Sequence, residues 1–143
     1  MPILTRWYIR TSFVYLMASL MVGVLIAMRF DLALPPAFSV MSPVYFHLFL
    51  VGWISQLIFG VIFWLFPKAQ QEWQHWESLA WAVWALLNAG LLLRAIAEPL
   101  AVLNPGQIWG WGLVISALLQ WLAGMGFIII VWPRAYTRAR KQR

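Results

Sequence analysis

Apolar residues run along this chain in four long blocks, separated by short joints rich in proline, glycine or polar residues. The blocks fall at about 11–29, 44–66, 77–98 and 107–132, each close to the roughly 20 residues a helix needs to cross the hydrocarbon of a bilayer. Backbone groups in hydrocarbon must be bonded within their own segment, so the blocks are predicted to be helices. The expected fold class is all-α: a polytopic four-transmembrane-helix bundle, one membrane domain over 1–143, with a basic tail at 133–143.

The punctuation supports that division. Pro35 and Pro36 break the chain after the first block, and Ser42-Pro43 reads as an N-cap followed by proline in the first turn. Pro67 closes the second block, Pro99 and Asn104-Pro105-Gly106 separate the third from the fourth, and Pro133 is expected to end the last. The first block is longer than the apolar core of a signal peptide and no small-residue cleavage site follows it, so it reads as an uncleaved span.

Composition makes the bilayer the natural solvent. Hydrophobic residues are 64% and charged residues 10% of the chain, whereas soluble domains carry about a quarter charged residues. A cytosolic enzyme, a nucleic-acid-binding domain and a disordered chain are thereby excluded. The net charge of +6 does not line a groove. Arg6 and Arg10 precede the first block, Lys68 lies in the central joint, and Arg134, Arg138, Arg140, Lys141 and Arg143 follow the last, while the other two joints hold only Arg29. Cations mark the cytoplasmic side, so both termini are expected in the cytoplasm, as in a bacterial inner-membrane protein. Trp7, Tyr8, Trp64, Trp73, Trp76 and Trp132 would then form the inner aromatic belt, and Tyr45, Trp109 and Trp111 the outer one. With no cysteine, disulfides, thiolate metal sites and covalent haem attachment are excluded.

Three spans carry stripes of small or polar residues: Ser12, Tyr15, Ser19 and Gly23; Gly52, Gln56 and Gly60; Gly112, Ser116, Gln120 and Gly124. Close helix packing accounts for all of them, with Gln56 and Gln120 the positions to watch for a polar function. Packing does not explain the ionisable residues His47, Arg94 and Glu98, which are costly in lipid. Counting from Pro43 and back from Pro99 places His47 and Arg94 at similar depth near the outer surface. An ion pair between Arg94 and Glu98, four residues apart, is one reading; an interhelical hydrogen bond is the corresponding reading for His47. The other is a haem b site, with imidazole on iron, apolar walls around the porphyrin and arginine facing the propionates. Met28 is expected near the depth of His47 as a possible axial ligand. His75, among glutamines and tryptophans of the central joint, reads as a solvated interfacial residue.

The run Pro43-Val44-Tyr45-Phe46-His47-Leu48-Phe49-Leu50-Val51-Gly52-Trp53, continued by Phe59-Gly60 and Phe66-Pro67, resembles the second transmembrane helix of haem–copper oxidase subunit I, closest to its cytochrome cbb3 and nitric-oxide-reductase branches. The likeness covers about 25 residues well, extends over the first two spans and thins thereafter. It implies that His47 is an axial haem ligand in the outer half of the membrane. The family's remaining histidines, which hold the second low-spin position, the high-spin haem and copper, have no counterpart here, because His75 is the only other histidine. A haem–copper oxygen-reducing centre is therefore not expected, and the chain resembles one four-helix arc of the larger family fold.

The functional expectation is a cytochrome c oxidase subunit I-like membrane protein. It would bind haem b through His47, with Arg94 toward the propionates, and serve respiratory electron transfer. A second copy would supply the other ligand in a homodimer, or a trimer would mimic the oxidase arcs. The alternative is a non-catalytic accessory or assembly subunit of a larger respiratory complex. A five-coordinate iron would also suit gas sensing. A small multidrug transporter is disfavoured, because the first span lacks the buried acid that proton coupling requires.

Overall fold

The structure, a computed structural model, describes residues 2–28, 40–65 and 73–140, with the backbone alone for 73–75 and 134–140. Four helices account for nearly all of it: α1 (Ile3–Met28), α2 (Ser42–Leu65), α3 (Trp73–Leu103) and α4 (Gln107–Arg140). Each is long and apolar enough to cross a membrane. The chain is thus an all-α, four-helix, multi-pass membrane protein, and the even number of spans brings the two ends of the chain to one end of the bundle.

Two boundaries differ from the proline reading. Pro99 lies inside α3, which runs on to Leu103, and Pro133 lies inside α4, which continues to Arg140. A proline removes one donor and crowds the preceding turn, but in apolar surroundings an unbonded backbone costs more than a local kink. The turn between these helices is only Asn104–Gly106, tied by the Asn104 amide donating to the Leu100 carbonyl at 2.9 Å. The central joint at 66–72, with Lys68, lies outside the described residues, as does Arg29.

The helices pack as two antiparallel hairpins, α1 with α2 and α3 with α4, joined chiefly along the α2–α3 seam. Small residues set both hairpins. A Cβ on Gly52 would meet the Tyr15 ring at 2.7 Å, one on Gly60 the Tyr8 side chain at 2.8 Å, and one on Gly23 the Tyr45 ring at 3.1 Å. In the second hairpin Gly90 receives Gln120 and Ser116, Gly112 meets Ala97, and Gly126 meets Val83. Such contacts let backbones approach closely where lipid supplies no hydrophobic drive between helices. Gly124, the last member of the α4 stripe, instead faces open space. Tyr8 also departs from expectation: it is fully buried and donates to the Ala80 carbonyl, so it is a core residue and not part of an aromatic belt.

The middle of α2 is a π-helix over His47–Ser55. From Val44 to Gly60 the buried positions of α2 are Val44, Leu48, Gly52, Gln56 and Gly60, four residues apart each time. In a uniform α-helix each four-residue step advances about 40°, so such a stripe would wind off the bundle. A π-helix, with roughly 4.4 residues per turn, makes each step fall short by a comparable angle. The two drifts offset each other and the stripe stays on one face. His47 and Gln56, nine residues apart, would point about 180° apart on an unbroken α-helix, yet both face α3.

Candidate functional site

The antiparallel register of α2 and α3 brings Gln56 to Asn88 and His47 to Glu98. His47 therefore lies opposite Glu98, and Arg94 sits about one turn away along α3, where the sequence predicts a depth similar to that of His47. The arginine reaches back along its own helix: its Nε donates to Glu98 Oε1 at 2.8 Å. The same carboxylate oxygen stands 3.7 Å from His47 Nδ1. Glu98 is thus the meeting point of the imidazole and the guanidinium, a role that counting residues from the flanking prolines missed.

All three side chains are shielded, with relative exposures of 29% for His47, 23% for Arg94 and 10% for Glu98. His47 Nδ1 also lies 2.8 Å from the Pro43 carbonyl oxygen. A carbonyl only accepts, so this contact requires Nδ1 to carry the proton, and in the neutral ring the lone pair is then on Nε2. No described residue bonds Nε2. Glu98 Oε2 is buried and without a partner.

The surroundings of this triad open sideways. Near the end of the bundle where the chain begins and ends, α2 and α4 touch: Phe59 stacks on Phe127 with centroids 3.7 Å apart, and Phe63 meets Phe127 edge-on. Toward the other end the two helices diverge. Nowhere along Ser42–Ser55 does the backbone come within 8 Å of α4 among the described residues, while both helices stay against α3. Toward that end α2 and α4 thus lie on separate flanks of the helix that carries Arg94 and Glu98.

Met28 is not brought to this site. Contacts of Gly23 with Tyr45, Gly52 with Tyr15 and Gly60 with Tyr8 define the α1–α2 register and put Met21 opposite His47. Met28 stands seven residues further on, about 10 Å away along the helix, with its side chain 42% exposed. The side chain of His75 lies outside the described residues. Among the described residues no group of three or more His, Cys, Asp or Glu is placed to hold a metal ion.

A second polar cluster occupies the middle of the bundle. Gln56 Nε2 donates to Thr11 Oγ1 and to Asn88 Oδ1, Trp84 Nε1 donates to Thr11 Oγ1 at 3.3 Å, and Asn88 Nδ2 donates to the Trp84 carbonyl at 2.7 Å. Gln56 is fully buried, with Oε1 left unpartnered. These bonds cross three helices, so the cluster pins α1, α2 and α3 in register. Gln120 bonds Ser116, whose hydroxyl donates to the Gly90 carbonyl at 2.8 Å, and does the same for α3 and α4. Both glutamines thus have packing partners.

Fold and geometry together define a multi-pass membrane protein with one ionisable triad at the end of its α2–α3 seam. Compared with protein-family models, with curated proteins and with solved structures, the chain matches none.

Proposed function

We propose that the chain is a haem-binding protein of respiratory electron transfer in a bacterial inner membrane, with both termini cytoplasmic and His47 in the outer half. The observation that carries this reading is the contact of His47 Nδ1 with the Pro43 carbonyl oxygen at 2.8 Å, which leaves Nε2 as the nitrogen an iron-ligating imidazole would use. The donor set would suit one imidazole ligand to iron together with a carboxylate-bearing porphyrin edge, since the His47 imidazole and the Arg94 cation lie on adjacent helices. It does not fit a copper centre, which needs several imidazoles.

Haem b, when bound, supplies a one-electron iron couple. The chain's own residues hold and screen it. His47 would offer Nε2, and Arg94, one turn away, would be the cation for propionates. Among the described residues no second histidine stands opposite His47, so a partner copy would supply any further protein ligand, in keeping with a homo-oligomer.

A reduced-minus-oxidised absorbance spectrum of protein purified from haem-replete cells tests the proposal. Wild type is expected to show a Soret band and α band that His47→Ala abolishes or strongly shifts. Colourless wild type would remove the haem reading. A second reading, a haem-free accessory subunit of a larger respiratory complex, draws on the apolar side chains that α2 and α4 leave exposed, such as Leu50 and Trp111, which an apolar helix of a partner would cover. It predicts a colourless chain that co-purifies with a large redox complex.

A further inference from the structure

Glu98 belongs to no motif of the chain and was not among the expected site residues, yet both functional candidates converge on it. Its Oε1 accepts from Arg94 Nε at 2.8 Å and stands 3.7 Å from His47 Nδ1. Its side chain is 90% buried and its Oε2 has no described partner. A carboxylate this enclosed is costly in an apolar seam, and one cation from its own helix offsets only part of that cost. The arrangement has a specific consequence at the imidazole. The Nδ1 proton bonds to the Pro43 carbonyl with a negative charge beside it, which holds the proton on Nδ1 and raises the donor strength of Nε2.

We infer that Glu98 is a positioning residue for an iron-ligating His47, strengthening the imidazole as a ligand while fixing Arg94 for the propionate edge. This rests on the haem reading above. The charge on Glu98 would favour the ferric over the ferrous state, because a stronger imidazole donor and a nearby anion both stabilise the higher charge on iron. Neutralising it therefore raises the midpoint potential, and loosens haem by the roughly 10–100-fold typical of losing an outer-shell partner.

The test uses the full chain, loaded with haem in detergent, as wild type, Glu98→Gln and Glu98→Asp. Glutamine keeps the size and removes the charge; aspartate keeps the charge but withdraws it from Nδ1. Glu98→Gln is expected to show a more positive midpoint potential and faster haem transfer to an acceptor protein, with Glu98→Asp intermediate. Should glutamine prevent folding, the aspartate variant still reports the direction of the shift. A haem-loaded wild type whose potential and haem release match those of the Glu98 variants overturns the role of Glu98 alone. A wild type that never takes up haem overturns the underlying reading and this inference with it.

Discussion

Single atoms decide much of the packing in this protein, and they permit a ranking of substitutions. Gly52 sits so close to Tyr15 that an added methyl would lie 2.7 Å from the ring carbon Cγ, and displacing that buried ring means moving α1. Gly52→Ala is expected to cost about 1–3 kcal/mol, the range for overpacking a filled site. Gly124 faces open space, so Gly124→Ala is expected to be neutral within about 0.5 kcal/mol. Gln56→Leu falls between them. It removes two interhelical donations from Gln56, and such bonds in membranes average about 0.6 kcal/mol. It also removes the unpartnered Oε1, which offsets part of the loss. Unfolding in mixed micelles, compared across the three variants, checks the order. A Gly52→Ala protein as stable as Gly124→Ala would show that the α1–α2 contact is looser than this geometry.

At the scale of helices, the apolar blocks are legible because length and hydropathy depend only on composition, and the stripes of small residues mark helix contacts except at Gly124. The register between helices was not legible, since it depends on which small residue meets which side chain. Proline alone does not end these helices: Pro99 is carried inside α3, where an apolar setting penalises a broken helix more than water does, and Pro133 inside α4, which continues into the basic tail. The π segment left one trace, the four-residue spacing from Val44 to Gly60, which fits neither helix type alone. Glu98 was seen only as the ion-pair partner of Arg94, since its approach to His47 follows from the α2–α3 register. Register is directly testable in this chain because it has no native cysteine. A Cβ on Gly112 would lie 3.3 Å from Ala97 Cβ, near the separation of disulfide-bonded cysteines. Ala97→Cys/Gly112→Cys is expected to cross-link on mild oxidation, while Ala97→Cys/Gly110→Cys is not, as Gly110 faces open space. The reverse pattern would mean that α3 and α4 are rotated from the positions described here.

For the whole molecule the unresolved sign is direction across the bilayer, which four similar apolar helices do not encode. Charge does. Arg6 and Arg10 stand at the end of the bundle that holds both termini, and five more cations follow Pro133 in the sequence, whereas the Asn104–Gly106 turn carries none. Cations near span ends resist translocation, so the termini are predicted in the cytoplasm and the His47 end outside. A cysteine at Asn104 is expected to react with a membrane-impermeant maleimide in intact spheroplasts, and one appended after Arg143 only once the membrane is opened. Labelling of both in intact spheroplasts would deny the even number of spans; the opposite pattern would place His47 toward the cytoplasm. Neutralising the tail at Arg134, Arg138, Arg140, Lys141 and Arg143 should leave Arg6, Arg10 and Lys68 to set the orientation. A fraction of molecules then inverts and exposes the C-terminal cysteine. Because His47 lies toward the end opposite the termini, the same labelling decides which side of the membrane the His47–Arg94–Glu98 cluster faces.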